Sequence, residues 1–287
     1  MQFDSTGEFL RRAGATALAR GPVAMIFAED GVELLQTLRH HRRLGFRKIL
    51  LFAPPGLPVP AAPDLVRVGW SPDPETALTD AVNAVSAAAP PGTWLYYGFN
   101  AEFLFFPFCE TRSVGELLAF HAEERRDAML SYVVDLYAGD LAAHPDAVSL
   151  RDAHLDRSGY YAQARPDAQG RPLDRQYDFY GGLRWRFEEH VPEGRRRIDR
   201  IALFRARPGL HLRTDFTFDA PEYNTYACPW HNNLTACICS FRAAKALKRN
   251  PGSRDLVDSF LWYNSAPFEW QSRQLLDLGL MEPGQWF

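Results

Sequence analysis

The chain has 287 residues with 46% hydrophobic content, which is enough to bury a large core as one big domain or two small ones. Its formal net charge of -3 argues against a general nucleic-acid binder, because such proteins are expected to be basic. No secretory leader opens the chain, no uncharged apolar stretch reaches the roughly 18 residues of a membrane span, and four cysteines make no disulfide framework, so we expect a cytoplasmic protein.

The first predicted elements are a strand, a helix and a second strand. Residues 22–28 form a short apolar run that predicts a strand. Asp30, with Glu33 three residues later, has the pattern of an N-cap and capping box, and Gly45 is a typical helix stop. Residues 48–52 then predict the second strand, so this unit implies a parallel crossover.

Strands and helices continue to alternate through the first half of the chain. After a proline-rich loop over 53–63, the pattern predicts a strand over 65–70, a helix over 74–88, a strand over 94–97, a helix over 113–125 and a strand over 129–137. The fourth of these elements is capped by Ser113 with Glu116. The alternation predicts an α/β fold with a doubly wound mixed sheet and helices on both faces, and ligands of such sheets usually bind at the carboxyl ends of the strands.

The second half of the chain is less regular. The pattern predicts a polar, loop-rich insertion over 139–176, strands over 180–187 and 198–204 joined by a charged turn, a stretch over 235–247 that becomes helical towards Lys248, and a helix over 272–278. We expect a single domain over 1–287, with a nucleotide-binding-type half over 1–138 and an acceptor-type half over 139–287.

The segment from Trp94 to Cys109 combines a buried strand, a short polar break and a second apolar run. It reads Trp-Leu-Tyr-Tyr-Gly-Phe-Asn-Ala-Glu-Phe-Leu-Phe-Phe-Pro-Phe-Cys. It resembles the central segment of family 2 glycosyltransferases with a GT-A fold, in particular a bacterial branch whose strand runs into Asp-x-Asp-Glu-Phe-Leu. Glu102-Phe103-Leu104 keeps the last three residues, whereas Phe99 and Ala101 stand at the positions of the two aspartates.

Other segments carry the same resemblance. Residues 39–46, Arg-His-His-Arg-Arg-Leu-Gly-Phe, are similar to the family's Tyr-His-x-x-Leu-Gly-Phe pattern, and Tyr180-Gly181-Gly182-Leu183-Arg184 resembles its Gly-Gly-x-Arg element. Residues 106–112 and 130–137 are also similar to the family. The resemblance implies a GT-A-like fold and transfer of a sugar from a nucleotide sugar to a glycan or another acceptor hydroxyl.

The departures from the family pattern lie at polar positions. Ala28-Glu29 replaces Asn-Glu, Ala53-Pro54-Pro55-Gly56 replaces an Asp-rich loop, and Ser240-Phe241-Arg242 replaces His-Phe-Lys. Mg²⁺ and Mn²⁺ prefer oxygen ligands, which phenylalanine and alanine lack, so we expect no metal held by an Asp-x-Asp motif and no other cofactor. An alternative interpretation is a catalytically inactive pseudo-glycosyltransferase that serves as a carbohydrate-binding or assembly module.

Five residues are candidates for the site. Asp135, a carboxylate at a predicted strand end, is a candidate general base for the acceptor hydroxyl, although turn and capping aspartates have the same pattern. Glu29, Asn100 and Glu102 are candidate substrate-binding residues, and Glu102 is the last carboxylate in the polar break. Arg184 follows two glycines that would let a phosphate approach, but it could equally pair with a carboxylate.

A separate cluster contains Cys228, His231, Cys237 and Cys239. Cysteine and histidine are zinc ligands, so a zinc site is one interpretation, and an enzyme that uses the cysteines is another. The Cys-x-Cys spacing is unusual for zinc and the run over 237–241 is apolar, which favours cysteines buried as small hydrophobic residues. No sequence pattern indicates which sugar donor or acceptor would be used, or what the oligomeric state is.

Overall fold

The computed structural model describes residues 1–59, 61–227 and 231–286, and the chain is a mixed α/β protein. Within these ranges the strands are β1 (Gln2–Phe3), β2 (Val23–Phe27), β3 (Lys48–Ala53), β4 (Leu65–Gly69), β5 (Trp94–Phe99), β6 (Glu102–Phe105), β7 (Ala128–Asp135), β8 (Tyr137–Ala138), β9 (Ala153–Asp156), β10 (Tyr161–Pro166), β11 (Pro172–Tyr180), β12 (Asp199–Arg205), β13 (Ala236–Ser240) and β14 (Ser265–Pro267). Nine of them form one mixed sheet in the order β1-β4-β3-β2-β5-β12-β7-β13-β6.

The helices of the described ranges are mostly short. They are α1 (Thr6–Phe9), α2 (Ala15–Ala17), α3 (Leu34–Arg43), α4 (Ala77–Ala88), α5 (Val114–Glu123), α6 (Gly182–Arg186), α7 (Arg242–Arg249) and α8 (Ser272–Asp277). A π-helical turn over Leu10–Gly14 joins the first two, and 3₁₀ turns cover Glu188–His190, Glu193–Arg195 and Pro221–Asn224. No helix in this part of the chain has the length and hydrophobicity needed to cross a bilayer.

The first of two compact units comprises residues 1–101, 111–130 and 201–224. Its strands β1 to β5 are parallel neighbours, and β12 pairs antiparallel with β5. Every residue from Val23 to Ala28 is fully buried. Uninterrupted apolar strands of this kind occur where a parallel sheet is covered on both faces. The predicted parallel pairing of the first two long strands is therefore confirmed.

The second unit comprises residues 102–110, 131–200 and 225–287. Strand β13 pairs parallel with β7 and antiparallel with β6, while β8, β9 and β14 form a small separate sheet. Strands β10 and β11 form a hairpin whose first strand is largely exposed and whose second strand is mostly half-buried. Arg165 fixes this hairpin through Asp178 at 2.8 Å and Asp199 at 3.1 Å. The single-domain organisation with halves at 1–138 and 139–287 stays a prediction.

Four predicted elements need correction. Asp30 does not cap α3: its carboxylate accepts the N–H of Val32, and the helix begins after Glu33, whose φ is +49°. The segment 139–176 contains β9, β10 and part of β11 rather than loops alone. Residues 180–187 contain α6 instead of a strand, because positive φ angles at Gly181 and Gly182 turn the chain out of β11. Residues 235–247 contain β13 before α7.

The capping box of α5 is the clearest local signal that the structure confirms. Ser113 Oγ accepts the N–H of Glu116 at 3.3 Å, and the Glu116 carboxylate accepts the N–H of Ser113 at 2.8 Å. We predict that Ser113→Ala lowers the free energy of unfolding by about 1 kcal/mol, because the first turn of the helix loses an acceptor. Urea denaturation measures the change. Ser113→Thr, which keeps the hydroxyl, should lose much less, and equal losses in both variants would contradict the capping role.

Candidate functional site

The candidate residues fall in both units. Glu29 and Asn100 belong to the first unit, whereas Glu102, Asp135 and Arg184 belong to the second. In the first unit the two residues are in direct contact, and in the second unit Asp135 pairs with Arg184. Each group is described within its own unit, because the chemistry of each depends on its immediate neighbours.

Asn100 is a fully buried amide whose polar atoms all have protein partners. Its side-chain oxygen accepts the backbone N–H of Glu29 at 3.0 Å. Its side-chain nitrogen donates to Asp30 Oδ1 at 2.7 Å and to the carbonyl of Val32 at 2.9 Å. Asn100 therefore ties the loop after β2 to the end of β5, which is a structural role. Its predicted contact with a substrate, and that of Glu29, stay predictions.

The two positions that would carry the family's aspartates are packed into the core of the first unit. Phe99 is 6% exposed, and its ring lies 6.3 Å from that of Phe27. Phe27 also stacks on Phe52 at 4.6 Å and meets the edge of Trp70 at 5.1 Å. Ala101 is fully buried, and its N–H donates to the hydroxyl of Thr37. Neither position offers an oxygen from its side chain, so the residues do not fit a cation held by an Asp-x-Asp motif.

Glu102 is held in a buried ion pair of the second unit. Its two carboxylate oxygens accept from the two terminal nitrogens of Arg200, both at 2.9 Å, and Oε1 also accepts from the hydroxyl of Ser240 at 3.1 Å. Glu102 is 0% exposed and Arg200 is 3% exposed. Bidentate pairing of this kind satisfies both charges. A cation bound by Glu102 would have to compete with Arg200.

Asp135 ends β7 and lies in register with Ser240 of the neighbouring strand β13. It is 2% exposed, and neither carboxylate oxygen has a hydrogen-bond partner of normal geometry among the described residues. Its nearest cation is Arg184, whose Nε lies 3.6 Å from Oδ1. A Cβ added at Gly182 would lie 2.9 Å from Oδ2, so the glycine lets the backbone of α6 approach the carboxylate closely.

Burial raises the pKa of Asp135 from 3.8 to about 6. The charge of Arg184 and the nearby backbone N–H of the same residue oppose this shift, whereas the carboxylate of Asp156 adds to it. Arg184 itself is partly buried, and its pKa is lowered by burial and by the neighbouring charges of Arg200 and Arg242. Asp135 therefore has one arginine partner and a pKa that lets it exchange a proton near neutral pH.

Asp156 is a second buried carboxylate of this unit, and it is fully partnered. It accepts from the hydroxyl of Tyr137 at 2.5 Å, from the indole N–H of Trp262 at 2.8 Å, and from Arg186 at 3.1 and 3.2 Å. It is 1% exposed. These donors satisfy the Asp156 carboxylate and fix it in place, which contrasts with Asp135, whose oxygens make no hydrogen bond of normal geometry among the described residues.

Sequence reasoning did not identify Asp156 or Arg200. Arg200 lies inside the apolar strand β12, and a lone charge in such a run is the signal of a buried ion pair. Its partner, however, lies 98 positions away, so the spacing gives no guide to the pairing. Asp156 follows the apolar residues of the short strand β9, which the sequence pattern placed in a loop.

The described part of the cysteine cluster is apolar in character. Cys237 and Cys239 are fully buried on β13 with their sulfurs 3.9 Å apart, and burial raises the pKa of the Cys239 thiol. Cys228 lies outside the described residues. Over 1–59, 61–227 and 231–286, no group of three or more histidine, cysteine, aspartate or glutamate residues is placed to hold a metal ion. The zinc interpretation stays a hypothesis.

In comparisons with known proteins, no protein-family model matches the chain and no curated protein matches it.

The buried pair of Glu102 and Arg200 gives a stability prediction. Glu102→Gln should lower the free energy of unfolding by about 3 kcal/mol, because it leaves the buried charge of Arg200 uncompensated. Chemical denaturation at neutral pH measures the loss. Glu188→Gln is the matched control: it breaks the largely exposed pair with Arg196 at 3.4 Å and should hardly move the midpoint. Similar denaturation midpoints for the two variants would show that the buried pair contributes no more to stability than the exposed pair does.

The raised pKa of Asp135 gives a pH prediction. Between pH 4 and 6 the folded protein binds a proton that the unfolded chain releases, so Asp135 stabilises the fold below about pH 4 and this contribution is lost as the pH rises through 6. The free energy of unfolding of the natural protein should therefore fall by about 2 kcal/mol relative to Asp135→Asn between pH 4 and 7. Denaturation curves of both proteins across this range test it. A difference that stays constant or has the opposite slope would contradict the assignment.

Proposed function

We propose that the protein is a cytoplasmic, glycosyltransferase-like enzyme with a GT-A-like, doubly wound fold and helices on both faces of its sheet. It transfers a sugar from a nucleotide sugar to a glycan or another acceptor hydroxyl, and it does so without a metal bound by an Asp-x-Asp motif. The observation that carries the proposal is Asp135, a buried carboxylate with a pKa of about 6 that makes no hydrogen bond of normal geometry among the described residues, although the backbone N–H groups of Leu183 and Arg184 lie close to it.

The environment of Asp135 lowers the stability of the fold, so a purely structural role does not explain this residue. A buried carboxylate that lacks donors destabilises a fold, and such groups in native proteins are enriched at functional sites. Asp156 provides the comparison within the same unit, because its four donor contacts are what a structural carboxylate acquires. Because Asp135 pairs with Arg184 only at 3.6 Å, its oxygens keep the capacity to accept a hydrogen bond from an acceptor hydroxyl.

In the proposed reaction, the acceptor hydroxyl gives its proton to the Asp135 carboxylate while its oxygen forms a bond to the anomeric carbon of the donor sugar. The bond between that carbon and the diphosphate oxygen breaks, and the diphosphate leaves with the electron pair. Arg184, the cation paired with Asp135, would stabilise the negative charge that develops on the leaving group. A pKa of about 6 keeps Asp135 deprotonated and active as a base at neutral pH.

The second candidate function is a pseudo-glycosyltransferase that acts as a carbohydrate-binding or assembly module. It is favoured by the positions where the family binds its donor: Phe99 and Ala101 are buried, Asn100 has protein partners at every polar atom, and Glu102 pairs with Arg200. This function needs no general base. The ionisation of Asp135 would then have no catalytic consequence.

Nucleotide binding and turnover separate the two functions. We expect uridine, guanosine or thymidine diphosphate to raise the melting temperature, and EDTA to leave that rise unchanged, because a ligand of the native state stabilises it and no Asp-x-Asp metal takes part. We also expect Asp135→Asn to keep this rise but to release nucleoside diphosphate from UDP-glucose, UDP-N-acetylglucosamine, GDP-mannose or dTDP-rhamnose about 100-fold more slowly or worse.

Asp277→Asn, a change at an exposed carboxylate on α8, should leave both the melting rise and the turnover unaffected. The rate of the natural protein should rise with pH up to about 6 and then level off. If no nucleoside diphosphate shifts the melting temperature at millimolar concentration, the transferase proposal is wrong and the module proposal is favoured. A rise that EDTA abolishes would overturn the metal-independent mechanism.

A further inference from the structure

Three aromatic residues of the second unit lie near the candidate base and are not used by the proposed reaction. Trp185 is 42% exposed, Tyr263 is 81% exposed, and Trp262 is half-buried between solvent and the unit. The ring centres of Trp262 and Tyr263 are 4.8 Å apart, and the two ring planes meet edge to face at 61°, so each ring offers a separate surface. A Cβ added at Gly159 would lie 3.4 Å from Trp185 and 3.8 Å from Trp262, so both indoles flank this glycine. We call Trp185, Trp262 and Tyr263 the aromatic platform.

The platform is held rigidly although much of it is exposed. The N–H of Ser265 donates to the carbonyl of Trp262 at 3.0 Å, which closes a turn with Tyr263 near its tip, and the Ser265 hydroxyl accepts the N–H of Trp262 at 3.0 Å. The guanidinium of Arg157 donates to the carbonyl of Tyr263 at 3.3 Å. An exposed aromatic ring on a fixed turn loses little conformational entropy when it binds a ligand.

Trp262 is also fixed from below. Its indole N–H donates to Asp156, and the guanidinium of Arg186 lies 4.5 Å from the ring centre on one face. Arg186 and Trp185 are neighbours on α6, whose Arg184 pairs with Asp135. One short helix therefore links the platform to the candidate base. Asp156 links them a second time, because its charge contributes to the electrostatic environment of Asp135.

The chemistry of the platform fits a carbohydrate. Pyranose rings carry an apolar face of C–H groups that stacks on flat aromatic rings, and hydroxyl groups at the edge that need polar partners. Around the turn, Asn264 donates to the hydroxyl of Ser158 at 2.7 Å, and the guanidinium of Arg157 lies next to the Tyr263 backbone. Flat apolar rings with a polar rim of this kind suit a sugar better than a purely apolar partner segment.

We infer that the aromatic platform binds sugar rings of the acceptor glycan and directs its hydroxyl towards Asp135. The inference rests on the proposed function for the identity of the occupant. It adds a place for the acceptor, which neither the resemblance nor the site residues predicted from the sequence supply.

The test measures glycan binding separately from nucleotide binding. Isothermal titration calorimetry and saturation-transfer NMR with cellohexaose, chitohexaose, maltohexaose and mannohexaose should detect binding of at least one probe by the intact protein. Trp185→Ala and Tyr263→Ala should each weaken that binding about tenfold. Tyr177→Ala is the matched control, because Tyr177 is a 37% exposed aromatic residue of the same unit that packs on Phe179 and Tyr226 instead.

The substituted residues are exposed, so the denaturation midpoints of the variants should match that of the natural protein, which separates lost binding from lost folding. Absence of binding to all four probes at millimolar concentration would overturn the inference, and so would equal losses in Tyr177→Ala. A change of oligomeric state in the Trp185→Ala, Tyr263→Ala double variant would identify the platform as a contact between copies and would also overturn it. A nucleotide-induced melting rise without glycan binding would refute the platform alone, whereas glycan binding without that rise would refute the transferase alone.

Discussion

The ion pair between Arg200 and Glu102 is the interaction on which the candidate site of the second unit depends. Both side chains are removed from water, so each charge is tolerable only because the other is present with good geometry. Ser240 completes the arrangement and brings the carboxylate of β6, the guanidinium of β12 and the hydroxyl of β13 together. Since Asp135 lies in register with Ser240, the same contacts fix the place where β7 ends. The position of the candidate base follows from a pairing that has no catalytic role.

The buried carboxylates of Glu102, Asp135 and Asp156 differ in how many hydrogen bonds they accept, and that difference carries functional information. Glu102 and Asp156 each receive several donors, so their negative charge is compensated within the protein. Asp135 has only a loose pair with Arg184, and burial raises its pKa above the ordinary value of an aspartate. Burial alone would not have distinguished them, because all three are at most 2% exposed. The number of hydrogen-bond donors around each carboxylate, and not how deeply it is buried, identifies Asp135 as the carboxylate that can still accept hydrogen bonds.

Much of the first unit could be predicted because its signals are local. Apolar runs gave β2, β3 and β4 within a residue or two, and the Ser113 capping box gave the start of α5. The second unit was harder for identifiable physical reasons. Strand β10 is exposed along most of its length and so creates no alternating apolar pattern, and α6 arises from two glycines with positive φ. Asp135 and Arg184 were singled out from the sequence, but their pairing and the role of Arg200 depend on contacts between distant segments.

Under the proposed resemblance to glycosyltransferases, the residues at the donor positions have a physical consequence for charge. At the ends of β2, β3 and β5 the polar residues of the family pattern are replaced by Ala28, by Ala53-Pro54-Pro55-Gly56 and by Phe99, none of which offers a side-chain oxygen to a cation. Under the proposed function, the charge of the leaving diphosphate must then be met by side chains. Arg200 is committed to Glu102, so Arg184, which pairs only loosely with Asp135, is the cation we expect to meet this charge. Because the charge of an arginine is permanent, such a site would be less sensitive to metal supply, and its pH dependence would come from Asp135 alone.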